Sequence, residues 1–278
     1  MKIAAIQMRS GTDIPRNIRA AEHLIKDAAR AGAQFIATPE MTHVLNRDSK
    51  ALFLTIKPES EDLGVAAFSA LAKELSVFLL IGSLAIRTGE RRAANRSYLF
   101  GPLGEIIARY DKIHLFDVTV SERETWKESR VYDAGQQAVI SDISGVKLGL
   151  SICYDVRFAN LYKTYAQSGA HIISVPAAFT RPTGEAHWET LLKARAIETG
   201  SYIIAPAQGG DHADGRSTWG RSMIIGPWGE VVSALDHDTP EYLLADIDIE
   251  AVTSARQKIP AWNTKPDFVL KSAPSDGL

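Results

Sequence analysis

The sequence holds a single cysteine, so no disulfide can form within it, and that suits a reducing compartment. No stretch approaches the roughly 18 consecutive apolar residues of a membrane-spanning helix. The opening MKIAAIQMRSGTD has too short an apolar run for a signal-peptide core and lacks a small-residue cleavage site. Neither sign of charge dominates: 31 Lys and Arg face 33 Asp and Glu, for a net charge of -2. Nucleic acid and anionic membrane surfaces are therefore poor partners. Seven histidines are present, but none forms His-Glu-x-x-His or another ligand cluster, so no metal site is expected. A soluble cytoplasmic protein remains. With 45% hydrophobic and 23% charged residues, it has the composition of a globular chain with a sizeable core.

Short β-rich runs alternate with helical ones. KIAAIQM (residues 2–8) reads as a strand, and residues 15–31 place Ile18, Ala21, Ile25, Ala28 and Ala29 on one helical face after a proline start. QFIATPE (34–40), a helix around 66–75 and VFLLIGSLAI (77–86) continue the alternation. This pattern implies a sheet covered by helices. The second half repeats it: SGAHIISVP echoes AGAQFIATP, and IGPWGEVV echoes FGPLGEII, both of the latter reading as hairpins around Gly-Pro-x-Gly. Two such sheets can cover each other's free faces, which gives an α/β four-layer αββα sandwich of two pseudo-symmetric halves. No linker-like composition separates the halves, so residues 1–260 are expected to form one domain. Residues 261–278 are expected to form its C-terminal arm, extended and loose at the end.

In α/β sheets functional groups gather beyond the carboxyl ends of strands. Glu40 follows FIATP, Lys112 follows the first hairpin, and Cys153 follows KLGLSI. A thiol with a pKa near 8.5 is only slightly ionised at neutral pH and needs a base or a nearby cation. Glu40 could take its proton, Lys112 could hold the charge that develops on a substrate oxygen, and the Tyr154 N–H could be a second oxyanion donor. Taken alone, each residue has a plainer reading: surface charges for Glu40 and Lys112, and a small buried hydrophobe for Cys153. A Cys–His pair with His114 or His171 is another arrangement. His187, beside Glu185, reads as a packing or hydrogen-bonding residue.

The segments IATPEM, RYDKIHLFD and LGLSICYDVRF, in this order, resemble those of the nitrilase superfamily of carbon–nitrogen hydrolases. The resemblance extends from IAAIQM to IPAWNTKPDF. It implies Cys153 as nucleophile, Glu40 as general base and Lys112 as oxyanion stabiliser. It adds a second glutamate, matched by Glu128, which either orients Lys112 or helps to move a proton. The neighbouring Glu122 and Glu124 read as surface charges. The fold it implies is the same αββα sandwich. It also implies a homodimer or higher homo-oligomer built on the helices in RFANLYKTYAQSG and EAHWETLLKARAIETG.

The implied reaction attacks a small primary amide through a cysteine thioester and releases an acid and ammonia. PAAFTRPTGEAHWETLLKARAIETGSYIIAPAQGG and WGRSMIIGPWGEVV resemble the amidase branch, that of deaminated glutathione amidase and ω-amidase, and within it LLKARAIET and APAQGGDH lean toward the former. True nitrilases and N-carbamoyl hydrolases fit less well, since this chain has YDVRF where carbamoyl hydrolases carry adjacent arginines. Such amides bear carboxylates, so Arg157, Arg181 and Arg216 become candidate anchors, with Phe116, Tyr154, Phe179 and Thr183 as pocket lining. An inactive family member that binds a partner or metabolite is the non-enzyme alternative.

Overall fold

The computed structural model describes residues 1–121, 124–265 and 268–271. The chain begins with β1 (Lys2–Gln7), α1 (Ile14–Arg30), β2 (Phe35–Ala37), α2 (Ser49–Thr55), α3 (Leu63–Leu75), β3 (Phe78–Arg87), β4 (Ala93–Phe100) and β5 (Ile106–Asp111). A connecting region holds β6 (Asp117–Ser121), β7 (Glu124–Lys127), β8 (Tyr132–Asp133) and β9 (Val139–Ile143). Then come β10 (Val146–Leu150), α4 (Ala159–Gln167), β11 (Ile172–Ser174), α5 (Arg181–Thr199) and β12 (Tyr202–Ala205). The chain closes with β13 (Gly209–Asp211), β14 (Ser217–Trp219), β15 (Met223–Ile225), β16 (Val231–Ala234), β17 (Glu241–Asp246) and α6 (Ile249–Lys258).

Two large sheets follow one plan. The first has the order β17-β1-β2-β3-β4-β5, with β8 added beside β4, and the second has the order β16-β15-β12-β11-β10-β9. In each, three parallel strands (β1, β2, β3 and β10, β11, β12) are flanked on both sides by antiparallel ones. The echoing sequences thus occupy equivalent places. The hairpin turns match in detail: Gly101 N–H donates to Glu105 O at 2.9 Å and Gly226 N–H to Glu230 O at 2.8 Å. Gly104 and Gly229 close these turns at φ of 84° and 89°, a region that glycine enters without steric cost.

The layers follow from the two-residue period of a strand. Ile3 and Ala5 of β1 pack with Leu148, Leu150 and Ile172 of the second sheet, whereas Ala4 and Ile6 pack with Ile18, Ala21 and Ile25 of α1 and Phe68 of α3. Helix α1 begins as its sequence dictates, with the Asp13 side chain accepting from Arg16 N–H at 2.8 Å and Pro15 in the first turn. Helices α4 and α5 cover the outer face of the second sheet through Tyr162, Trp188, Leu192 and Ala196. The αββα sandwich is thereby complete.

At three places the structure departs from, or adds to, what the sequence announces. Strand β2 stops at Ala37, so Thr38, Pro39 and Glu40 form a turn rather than strand end. Strand β17 pairs with β1 across nearly the whole chain length, a non-local pairing that no local pattern announces. Residues 260–263 form a 3₁₀ turn with Arg256 stacked 4.9 Å over Trp262, so the arm starts anchored, while 266–267 and 272–278 lie outside the described residues.

Gly82 in β3 lets the halves meet. A methyl group there would lie 2.1 Å from Thr38 O, 2.5 Å from Pro39 O and 2.4 Å from Pro176 Cβ. The prolines that end the two echoing segments converge on this one hydrogen-sized gap.

Candidate active site

The turn after β2 is tied down by both halves. Thr42 Oγ1 donates to Pro39 O at 2.8 Å, and Ser83 Oγ accepts from Met41 N–H at 2.8 Å. Gln208, from the other half, donates to Glu40 O at 3.0 Å and to Ser10 Oγ at 2.8 Å. Met41 takes a left-handed φ of 56°, which turns the chain sharply and leaves the Glu40 side chain buried and inward-facing.

Lys112 stands one residue beyond β5. Its N–H donates to Asn95 O at 3.0 Å and its carbonyl accepts from Gly135 N–H at 2.8 Å. Its side chain is only 2% exposed.

Cys153 opens a short 3₁₀ turn after β10 and has a left-handed φ of 50°. For a non-glycine residue that conformation costs on the order of 1 kcal/mol, and surrounding contacts must hold it. They do: Cys153 N–H donates to Pro176 O at 2.9 Å. The fully buried Asp155 carboxylate accepts from Ile152 N–H at 2.8 Å and from Tyr110 O–H at 2.7 Å. Its other oxygen accepts from His114 N–H at 3.0 Å. One carboxylate therefore pins the residue before the thiol to the loop that follows Lys112.

The floor of the site is a charge cluster. Lys112 Nζ donates to Glu40 Oε1 at 2.9 Å and to Glu128 Oε2 at 2.9 Å. Asn95 Nδ2 spans the same two carboxylates, at 2.9 Å from Glu40 Oε1 and 3.0 Å from Glu128 Oε1. Glu128 also accepts from Phe116 N–H at 2.6 Å. Among the described residues the buried Asn95 Oδ1 has no partner. Turning the amide round would aim that oxygen at two carboxylates, so the orphan is the lesser penalty.

Burial opposes the charge on Lys112, but Glu128 and Glu40 outweigh it and hold the ammonium pKa well above its usual range. Burial raises the Cys153 thiol well above its ordinary value, and the Glu40 charge adds to the rise. Lys112 and the Ala178 N–H pull in the other direction without prevailing. Burial and the neighbouring Glu40 thus both favour the protonated thiol.

Glu40, Lys112, Glu128 and Cys153 all line one cavity of about 630 Å³. Phe116, Tyr154, Arg157, Phe179 and Thr183 line it too, as does Arg216. Arg181 does not. At the start of α5 its guanidinium turns to Asp238 at 3.0 Å and Asp211 at 3.4 Å, away from the cavity wall. Glu124 lies in β7, and Glu122 lies outside the described residues. His114 is committed to Asp155, at 2.7 Å, and stacks on Phe158 at 3.6 Å. His171 accepts from Lys147 N–H at 3.0 Å. His187 lies 3.3 Å from an Arg157 nitrogen. Among the described residues no group of three or more His, Cys, Asp or Glu is placed to hold a metal ion. Among the described residues no helix is long and apolar enough to cross a membrane.

Sequence reasoning missed Asn95, Arg47 and Trp126. The one available signal for Asn95 was a polar residue inside the otherwise strand-like AANRSYLF, two positions before Ser97 and on the same buried face.

A family model described as carbon-nitrogen hydrolase matches residues 2–257. The deaminated glutathione amidase of Synechocystis sp. is 40% identical over 264 residues, covering 93% of this chain and 95% of that protein. The chloroplastic omega-amidase of Arabidopsis thaliana is 33% identical over 261 residues, covering 93% of this chain and 70% of that one. The crystal structure of the C. elegans NitFhit protein superposes with a TM-score of 0.87 at 32% identity. That match covers 95% of this chain, which spans 64% of the NitFhit chain.

Proposed function

The chain belongs to the carbon–nitrogen hydrolase family, and from that premise we propose that it hydrolyses the amide of a small carboxylate-bearing acid through a thioester on Cys153. One observation supports this most: a thiol on a strained turn faces a buried Glu40–Lys112 pair inside a roomy cavity.

Glu40 takes the thiol proton as Sγ attacks the amide carbon. Lys112 Nζ and the Tyr154 N–H stabilise the oxyanion. Glu40 returns the proton to the leaving nitrogen, the C–N bond breaks and the amine departs. Water then attacks the thioester, giving its proton to Glu40 and releasing the acid while Sγ regains a proton. Glu128 is an orienting group, because both its oxygens are occupied by Lys112, Asn95 and the Phe116 N–H. No step requires a metal or a cofactor.

The likeness to the Synechocystis enzyme favours deaminated glutathione as substrate, and the likeness to the Arabidopsis enzyme makes α-ketoglutaramate the alternative. This choice alters the leaving group. Ammonia can leave only from a primary amide, as in α-ketoglutaramate. Both amides of glutathione are secondary, so its deaminated form releases an amine, cysteinylglycine, in place of the ammonia expected from sequence. The cavity volume falls within the ordinary range for sites that enclose a whole small ligand and is ample for the larger substrate.

A homodimer or higher homo-oligomer accompanies this reading, built on α4 and α5. Ile197 on α5 is left 55% exposed, which supports that surface. A cytoplasmic setting suits a thiol that must stay free.

The test is direct product analysis with purified protein. Deaminated glutathione should yield an oxo acid and cysteinylglycine, and Cys153→Ala should yield neither. Turnover of neither amide by the wild type would overturn the proposal.

A further inference from the structure

The cavity wall is strongly cationic although the chain as a whole carries a net charge of -2. Outside the Glu40–Lys112–Glu128 floor it bears Arg47, Lys127, Arg130, Arg157 and Arg216. Among the described residues the wall offers no carboxylate beyond those two glutamates. Among the described residues only Arg216 has a carboxylate within ion-pair distance, Asp214 at 2.8 Å, which fixes the direction of its guanidinium.

Three of these cations fall into two groups. Arg157 stands over Tyr154 and Phe179, 5.9 and 5.4 Å from their ring centres. Arg47 and Arg216 both stand over Trp126, at 4.6 and 5.2 Å. A row of aromatic rings separates the groups: Tyr154 meets Phe116 edge-on at 5.2 Å, and Phe116 meets Trp126 at 6.2 Å. Stacking on a ring restrains a guanidinium yet leaves its N–H edge free for a carboxylate.

We infer that the cavity recognises an amide with a carboxylate at each end, one held by Arg157 and the other by Arg47 and Arg216 against Trp126. Arg157 shares its turn with Cys153 and is half-buried, so it serves the acyl half that stays on the enzyme. Arg47 is exposed at the rim, where the leaving amine must exit, so the Arg47–Arg216 pair serves the carboxylate of the leaving half. The aromatic row supports the chain between them. This inference rests on the amidase reading and narrows it: α-ketoglutaramate has no carboxylate on its leaving side, whereas deaminated glutathione has one on its glycine.

Binding tests it without turnover. Calorimetry on the Cys153→Ala protein would compare deaminated glutathione with its glycinamide form, which lacks only the second carboxylate. Loss of a charge-assisted contact should weaken binding by about tenfold or more. In an Arg47→Gln/Arg216→Gln background the two ligands should bind within roughly twofold of each other, as expected when a shared interaction has been removed. Equal binding of both ligands to Cys153→Ala alone would overturn the inference, and that comparison needs no arginine variant to fold. So would discrimination that survives the double arginine substitution, or that disappears instead in Arg157→Gln. Tight, discriminating binding combined with no product from the wild type would leave the two-carboxylate cavity standing and sink the amidase reading.

Discussion

Asn95 Nδ2 lies 2.9 Å from Glu40 Oε1, joining the middle of β4 to the turn after β2. The same amide reaches Glu128, and the same residue's carbonyl holds Lys112 N–H. Asn95 is thus a positioning residue for the whole floor. Asn95→Ala should lower kcat/KM about 10- to 100-fold, the range for losing hydrogen bonds to charged groups. Asn95→Asp should do more harm, since it brings a third carboxylate against the first two. Asn95→Ala also removes the orphaned Oδ1, so its thermal stability should fall less than its activity. Parallel kcat/KM and melting measurements on both variants check this. Equal activity in Ala and Asp would contradict it.

The thiol should titrate high. Its alkylation by iodoacetamide in the free enzyme should still be rising above the free-cysteine midpoint of about 8.5. Burial, the first cause, cannot be mutated away simply, but the second can. Negative charge on Glu40 disfavours a thiolate, so Glu40→Gln should move the alkylation midpoint down. Lys112 favours the thiolate, so Lys112→Met should move it up. Shifts of the opposite sign would show that the three groups are not coupled as the geometry requires.

Lys112 compensates two buried carboxylates. Lys112→Met should abolish measurable activity and cost about 3–5 kcal/mol of stability, the penalty for breaking a buried ion pair from one side. Its folded pKa is raised, so its stabilising contribution is complete below the unfolded value of about 10.4 and is lost only as pH climbs through the higher folded one. Denaturant unfolding should therefore show a gap between wild type and Lys112→Met that does not change with pH across neutrality on this lysine's account. A wild type that loses the advantage between pH 7 and 9 would contradict this.

Asp155 should matter without touching substrate. Asp155→Asn keeps its size but cannot accept from Ile152, Tyr110 and His114 together. The thiol turn and the loop after Lys112 then lose their common anchor. The expected result is a 10- to 100-fold drop in kcat, of the order seen when hydrogen bonds to a charged group are lost, with a smaller change in KM. A rise in KM at constant kcat would show instead that Asp155 serves binding.

Glu40, Lys112 and Cys153 stood out because each lies at or just past the end of a strand-like run, Glu40 after FIATP, Lys112 after ARYD and Cys153 after LGLSI, while their roles and that of Glu128 came from the resemblance to the nitrilase superfamily. The two-sheet plan was readable from the paired hairpins and the paired proline endings. What escaped was non-local. Nothing near Asn95 in sequence shows that its amide reaches residues 40 and 128. Arg181 was a candidate because the expected amides bear carboxylates, but residues two apart on a helix diverge by about 200°. Thr183 therefore lines the cavity while Arg181 pairs with Asp238. Helix α2 (SKALFLT) is too short and mixed to announce itself, and Arg47 just before it went unnoticed with it.

The most direct test of the central claim is to trap the intermediate. Deaminated glutathione would be mixed with the protein, quenched in acid within the first turnovers, digested and examined by mass spectrometry. An oxo-acyl group carried on the peptide that contains Cys153, absent from Cys153→Ala, is the expected result. Sustained turnover with no adduct on that peptide, or turnover retained by Cys153→Ala, would contradict thioester chemistry at this thiol.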